Sequence, residues 1–375
     1  MRFFLLDPLR GLAALWVFAF HFHFSESFQE AWPHLHNFFK RGDLGVPMFF
    51  VISGFCITAS ARSTIRKSEG TANFLWRRFR RIYPPFWFSI AVVAALPFCI
   101  EILSALKTGI YHAPTSKNNI NYGFLKYDIF EWMRLATLTQ ALWPVENVRS
   151  LQEKFTSINA VYWTLAIEVQ FYCIVAIALN LSRKRFYWTL AFITAICLPF
   201  SIMDLLLASG LFIPFWPMFA VGGFLFFVLD RGWSLDNDNF RPSKFASVIA
   251  VFILITGIMS FMIAASRGFN PSWLSFSAFF AICMWLVKPQ DKWFNHMVDN
   301  RHLKYFIIPF ITLGAMSYSA YLLHGKLQFL TAQLARQVLE VDSIKYDVSV
   351  IVSTLILCYP FYVYCESPFF KSKPS

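Results

Sequence analysis

The first apolar stretch of the chain, LDPLRGLAALWVFAFHFHF at residues 6–24, decides the fold class. It is long enough to cross about 30 Å of hydrocarbon as a helix, and comparable stretches follow it along the chain. It also carries Asp7 and Arg10 near one end and His21 and His23 near the other. Ionisable side chains are costly inside a membrane, so each of these four is a candidate for function.

The composition indicates a membrane protein over the whole chain. Hydrophobic residues make up 57% of the 375 residues and charged residues 14%, against roughly 25% charged in soluble domains. Mean hydropathy is +0.51. We therefore predict an all-α, polytopic integral membrane protein with about ten transmembrane helices. The predicted spans lie near residues 8–24, 44–60, 83–106, 160–182, 186–208, 211–230, 245–265, 272–287, 305–325 and 347–365.

The basic residues predict the orientation in the membrane. The chain carries a net charge of +12, and most of its 33 Lys and Arg fall in segments that are cytoplasmic if the N-terminus is inside. This positive-inside bias predicts that both termini are cytoplasmic. It also explains the basicity by contact with anionic membrane lipid, so we expect no nucleic-acid partner. We find no repeat and no linker, which predicts one transmembrane domain over residues 1–375 with neither a cleaved leader nor a separate soluble domain.

In the first predicted helix, Arg10 and His21 are expected to share a face. They are eleven residues apart, so they differ by only about 20° around the axis and by roughly 16 Å along it. Asp7 lies near the same line and caps the helix start before Pro8, whereas His23 points elsewhere. The alternative is that Arg10 is a topogenic charge and both histidines are interfacial.

Two later spans carry polar stripes. Thr164, Glu168 and Tyr172 follow one another at intervals of one helical turn in AVYWTLAIEVQFYCIV (160–175), and a carboxylate there needs a partner. In GAMSYSAYLLHGK (314–326) the polar stripe consists of Ser317, Tyr321 and His324. For Glu168 the alternative to a functional site is a structural pairing with an arginine, and for the second stripe it is a hydrogen-bonded packing seam.

A cluster of arginines precedes the third span, in FLWRRFRRIYPPFW (74–87). Its members are Arg77, Arg78, Arg80 and Arg81. Guanidinium groups suit phosphates, so the cluster predicts either a polyanionic cytosolic ligand or lipid headgroups.

In LGVPMFFVISGF (44–55), Gly45, Ser53 and Gly54 favour close helix packing, with exposed backbone near a ligand as the alternative. The seven cysteines show no metal-ligand spacing and predict neither a metal site nor a disulfide framework.

Taken in order, these motifs resemble the acyltransferase-3 family of membrane acyltransferases. The resemblance rests on DPLRGLAALWVFAFH, LGVPMFFVISGF, RRFRRIYPPFW, YWTLAIE with Trp163, Thr164 and Glu168, SYSAYLLH, and the ESP near the end. It implies transfer of an acyl group, with acetyl expected, from cytosolic acyl-CoA to a hydroxyl of a surface glycan or related acceptor. It further implies a bacterial inner-membrane location and a reaction without a metal.

Residue by residue, the resemblance implies that Arg10 and His21 are the paired residues of the first helix, with His21 as the base. Arg78 and Arg81 correspond to the arginines associated with the donor, and Glu168 to the acid of the fourth helix. Glu168 can then orient the His21 imidazole or pair with Arg10, and His21 can act as a base or carry the acyl group itself. The competing class is a transporter or flippase that uses Arg10, His21 and Glu168 as an intramembrane pathway. A homo-oligomeric state is left open.

Overall fold

The computed structural model describes residues 3–114, 120–144, 149–231, 272–291, 293–294, 298 and 304–370. Within these ranges the chain is helical, with no β-strand. The helices are α1 (Leu6–Phe20), α2 (Glu26–Ala31), α3 (Pro33–Phe39), α4 (Gly45–Arg66), α5 (Thr71–Thr108), α6 (Ile129–Ala136), α7 (Trp163–Leu181), α8 (Phe186–Ile202), α9 (Trp216–Asp230), α10 (Trp273–Val287), α11 (Lys304–Ala315), α12 (Ser317–Ala335), α13 (Ile344–Phe361) and a short final helix α14 (Ser367–Phe370). The all-α class is confirmed.

Among the described residues, five helical stretches are long and apolar enough to cross a membrane. They are Pro33–Arg66, Thr71–Thr108, Ala160–Leu181, Ile213–Asp230 and Ile344–Phe370. A sixth is added if α11 and α12 together make one span, and α8 is apolar but shorter. The predicted span 245–265 lies outside the described residues, so the described part of the chain does not give the predicted count of about ten.

Two predicted spans differ from the observed helices. The first helix ends at Phe20 after 15 residues, so His21 lies at its C-cap rather than within it. The span predicted at 305–325 is broken: α11 and α12 meet at Met316 with a bend of 77°. The polar residues Ser317, Tyr321 and His324 therefore all belong to α12, which begins at the break.

The longest described helix, α5, begins with a basic segment and continues as an apolar one. It begins after Gly70, which is extended, and ends at Thr108, where the C-cap Gly109 has a φ of +73° that favours glycine. Pro84, Pro85 and Pro97 lie inside it. Internal prolines are tolerated in membrane helices because neighbouring groups satisfy the freed carbonyls. The helix runs 38 residues, or about 57 Å, and can therefore border cavities at two depths.

Glycines set the closest helix contacts. A Cβ on Gly54 of α4 would lie 1.9 Å from the carbonyl oxygen of Phe219 in α9, and one on Gly222 would lie 1.9 Å from that of Val51. Gly45 likewise faces Val17 and Ala13 of α1. These contacts support the packing interpretation of the glycines in α4, since small residues let membrane helices approach closely.

We expect Gly54→Ala to destabilise the protein, because its methyl group has no room against the α9 backbone. Overpacking of this kind costs about 1–3 kcal/mol. The measurement is thermal unfolding of the purified protein in detergent. Gly70→Ala is the matched control, since a Cβ there meets nothing within 4 Å. Equal unfolding temperatures for the two variants would contradict the close contact between α4 and α9.

Candidate active site

Three arginines face one cavity inside the helix bundle. Arg10 comes from α1, and Arg78 and Arg81 come from α5. We call this the arginine cavity. Its polar wall is completed by Ser53, Cys56, Thr164, Glu168, Tyr172, Ser317, Tyr318 and Tyr321. The fold thus brings together most of the polar residues that the sequence singles out on α1, α4, α5, α7 and α12.

Glu168 receives two hydrogen bonds on one carboxylate oxygen. The Ser53 hydroxyl donates to Oε1 over 2.5 Å, and the Tyr172 hydroxyl donates to it over 2.6 Å. The predicted stripe of Thr164, Glu168 and Tyr172 does line one wall. In the described contacts, however, Glu168 pairs with neither of the two alternative partners, His21 and Arg10, and it binds these neutral donors instead.

The three arginines that line this cavity make few hydrogen bonds among the described residues. Arg10 pairs with Asp7, from Nη1 to Oδ1 over 3.0 Å, and its Nη2 lies 3.6 Å from Cys56 Sγ. The predicted cap at Asp7 is wrong, because Asp7 lies within the first turn of α1 and the N-cap Leu5 makes no side-chain hydrogen bond. The buried Nε of Arg78 has no hydrogen-bond partner among the described residues. The Arg81 guanidinium lies 5.4 Å from the ring centroid of Phe370. Half-buried guanidinium groups beside a cavity suit an anionic ligand.

The other two arginines predicted to bind the donor lie elsewhere. Arg77 donates to Glu69 over 2.5 Å and to Thr64 Oγ1 over 2.7 Å. The hydrogen bond from Arg77 lowers the pKa of Glu69 below its ordinary value. Arg80 does not line the arginine cavity. Helical spacing does not decide the difference, since Arg77 and Arg81 are four residues apart and also share a face. Arg77 is turned away by its contacts with Glu69 and Thr64.

A second cavity contains both His21 and His324, and we call it the histidine cavity. Its wall also includes Thr156, Asn159 and Lys326, together with apolar side chains of Val93, Leu96, Pro97, Ile100, Phe124 and Phe329. On α5, Ile82 borders the arginine cavity and Val93 borders the histidine cavity. That spacing corresponds to about 16 Å of helix, so the cavities are stacked along the axis of the bundle.

A hydrogen-bonded pair separates the two cavities. The hydroxyls of Thr164 and Tyr321 lie 2.7 Å apart, and both also contact the carbonyl oxygen of Val161, at 3.2 and 3.3 Å respectively. Thr164 and Tyr321 border the arginine cavity, whereas Val161 and His324, each three residues away, border the histidine cavity. We call the Thr164–Tyr321 pair the partition.

The two histidines of this cavity touch each other. His324 Nε2 lies 3.3 Å from His21 Nδ1, although the sequence placed them on separate predicted spans. His21 is exposed to the cavity and His324 is fully buried. His23, which helical spacing directs to another face, lines neither cavity.

Two further residues depart from the sequence interpretation. Trp163 lines neither cavity and is buried in an aromatic cluster with Phe50, Phe215 and Trp273. Glu366 has no assigned role in the sequence interpretation, yet it is buried in the π-helical turn Tyr362–Glu366. It accepts hydrogen bonds from the backbone N–H and the hydroxyl of Ser319. Its only sequence signal is the ESP motif.

The apolar helices and the charged cavities enclosed by them define the class: this is an integral membrane protein with a buried polar site. The chain belongs to the acyltransferase-3 family, whose acyltransferase domain matches residues 5–363.

Curated relatives match parts of the chain. It is 31% identical to the peptidoglycan O-acetyltransferase OatA of Listeria monocytogenes, over 45% of this chain and 23% of that protein. It is 28% identical to the acyltransferase MdmB of Streptomyces mycarofaciens, over 52% of this chain and 45% of the relative. It is 26% identical to an O-acetyl transferase of Shigella phage Sf6, over 62% and 64%. The chain therefore spans less than two thirds of each relative's length. No solved structure matches it.

Proposed function

We propose that this protein transfers an acyl group, with acetyl expected, from cytosolic acyl-CoA to a hydroxyl of a glycan on the far side of the membrane. The observation that carries the proposal is the stacking of an arginine cavity on a histidine cavity, with the Thr164–Tyr321 pair between them. One cavity suits a polyanionic donor and the other holds a base beside a space for an acceptor. The related O-acetyltransferases support the same reaction class.

The donor is assigned to the arginine cavity by charge. Arg78 and Arg81 lie at the end of α5 that follows the basic segment containing Arg62, Arg66 and Lys67. The positive-inside bias assigns this end to the cytosol, where acyl-CoA is found. The guanidinium groups would bind phosphates of CoA, while the extended pantetheine arm carries the thioester past the partition toward His21.

The acceptor hydroxyl is assigned to the histidine cavity. Its oxygen attacks the thioester carbonyl as its proton passes to Nε2 of His21, because a hydroxyl is a weak nucleophile without a base. The new C–O bond forms, the C–S bond breaks, and the CoA thiolate takes the proton back from His21. Each turnover therefore returns His21 to its neutral form, and no metal is required.

Glu168 and Arg10 have supporting roles in this scheme. The Glu168 carboxylate places one negative charge in a cavity that holds three guanidinium groups, and it fixes the hydroxyls of Ser53 and Tyr172. Arg10 is held by Asp7 at the start of α1. These groups set the charge and shape of the donor cavity, and neither contacts His21 in the described structure.

The test is incubation of the purified protein in lipid nanodiscs with acetyl-CoA labelled on the acetyl group and a panel of soluble glycans. We expect CoA release and label in the glycan, both dependent on protein and acceptor. The same protein in sealed vesicles tests the transporter alternative. Movement of glycan or label across the vesicle membrane without CoA release would overturn the acyltransferase proposal.

The partition should restrict water as well as substrate. We expect Tyr321→Ala to join the two cavities and to raise acceptor-independent hydrolysis of acetyl-CoA several-fold, because the wider passage admits more water around the thioester. The measurement is CoA release without glycan. Tyr318→Ala is the control: this tyrosine lines the arginine cavity but its hydroxyl donates to the Ile82 carbonyl, away from the partition. Equal hydrolysis by both variants would contradict the assignment.

A further inference from the structure

His21 and His324 form a contact whose geometry decides which nitrogen of each ring carries hydrogen. The two rings come from the end of α1 and from α12, and their centroids lie 5.2 Å apart. The contact joins Nδ1 of His21 to Nε2 of His324 over 3.3 Å. One of these nitrogens must donate and the other accept, and the surroundings of each ring determine the direction.

The surroundings of His324 place its hydrogen on Nδ1. That atom lies 2.9 Å from the carbonyl oxygen of Tyr321 and 3.1 Å from that of Ala320. Carbonyl oxygens only accept, so Nδ1 must be the donor. The ring is fully buried and packs against Phe18, and burial favours the uncharged imidazole. In a neutral imidazole with hydrogen on Nδ1, Nε2 is an acceptor.

The same reasoning then fixes His21. Its Nδ1 faces two acceptors, His324 Nε2 at 3.3 Å and the Val17 carbonyl oxygen at 2.9 Å, so it carries the hydrogen. The Val17 carbonyl oxygen also accepts the backbone N–H of His21 over 3.2 Å, and its second lone pair can accept from Nδ1. His324 Nε2 has no other donor in the described contacts, so the Nδ1 hydrogen is shared between these two acceptors. Nε2 of His21 is consequently the nitrogen with a free lone pair, and it has no hydrogen-bond partner among the described residues.

We propose that His324 is a positioning residue for acyl transfer: by accepting the Nδ1 hydrogen of His21, it holds His21 in the tautomer whose Nε2 removes the acceptor's proton. This inference rests on the proposed function and deepens it. When the hydroxyl O–H bond breaks and the Nε2–H bond forms, the positive charge on His21 is stabilised by the lone pair of His324. His324 itself neither gains nor loses a proton.

A neutral histidine suits this position better than the carboxylate expected from the sequence. Glu168 lies on the arginine cavity and is already bound by Ser53 and Tyr172. A second buried charge beside His21 would have to be desolvated in a cavity whose wall is largely apolar. An uncharged acceptor orients the base without that cost, in the role that an aspartate plays in serine hydrolases.

The test compares two amides at position 324. His324→Asn can still donate to the carbonyls of Ala320 and Tyr321, but it has no acceptor that reaches His21. His324→Gln can place its amide oxygen near the former Nε2 and accept the His21 hydrogen. We expect kcat to fall at least tenfold in His324→Asn with an unchanged KM for acetyl-CoA, and to recover substantially in His324→Gln.

Gln328→Leu is the matched control, because Gln328 lies one turn further along α12, is buried, and donates to the Phe18 carbonyl of α1 without touching His21. It should retain kcat. The inference is overturned if His324→Asn keeps full kcat, or if the Asn and Gln variants lose activity equally while eluting as folded protein. An inactive wild-type protein would instead refute the proposed function, so the two failures are distinguishable.

Discussion

His21→Ala is expected to lower the rate of acyl transfer by about 10²- to 10⁴-fold, the usual contribution of a positioned general base. The imidazole lies at the end of α1, faces the histidine cavity, and presents Nε2 without a partner in the described contacts. After its removal the other imidazole of this cavity, that of His324, is fully buried, so no histidine remains exposed to the cavity in the described wall. The measurement is label transfer to glycan at saturating acetyl-CoA.

His23→Ala is the control for this variant. His23 lies two residues further along the same segment but lines neither cavity. It should therefore retain wild-type transfer. Comparable loss in both variants would indicate disruption of the α1 end rather than removal of a base, and full activity of His21→Ala would contradict the assignment. Acid quenching of the wild-type reaction distinguishes His21 as a base from His21 as the carrier of the acyl group, because only an acyl-histidine leaves label on the protein.

Arg78→Ala and Arg81→Ala are each expected to raise the KM for acetyl-CoA by about ten- to a hundredfold, because a hydrogen bond to a charged group contributes about 1.5–3 kcal/mol. Both guanidinium groups line the arginine cavity, and Arg78 Nε is buried there without a partner in the described part of the chain. The measurement is initial velocity against acetyl-CoA concentration. If the donor is bound through its charge, the difference in KM between variant and wild type should become smaller at high ionic strength, because salt screens the interaction.

Arg80→Ala provides the matched control on the same helix. It removes the same charge from the same basic segment, but Arg80 lines neither cavity. Its KM should stay near the wild-type value. If all three variants changed only the amount of protein in the membrane, the arginines would be explained by topology alone, and the donor would have to bind elsewhere.

The polar stripes show how far sequence periodicity reaches. Thr164, Glu168 and Tyr172 were expected on one face of one helix, and all three line the same cavity. The stripe of Ser317, Tyr321 and His324 also exists, but it borders two cavities, because the partition at Tyr321 divides it. Helical spacing predicts which side chains share a face, while the position of a dividing contact depends on the helix that packs opposite.

Helical spacing does not predict which residue of another helix a polar side chain binds. Glu168 was expected to bind His21 or Arg10, and it binds Ser53 of α4 and its own neighbour Tyr172 instead. Arg77 was grouped with Arg78 and Arg81, yet it turns to Glu69 and Thr64. Adjacent arginines lie about 100° apart on a helix, so only the neighbours of α5 decide which of them face a cavity.

Hydropathy and helical period are properties of local sequence, so they suffice to predict an all-α membrane protein and the ionisable side chains that its helices carry. They do not predict that α1 ends at Phe20, that α11 and α12 meet at a 77° bend, or that His21 contacts a histidine 303 positions away. Those features depend on packing between helices distant in the chain, where close glycine contacts and buried hydrogen bonds fix the relative depth of each helix.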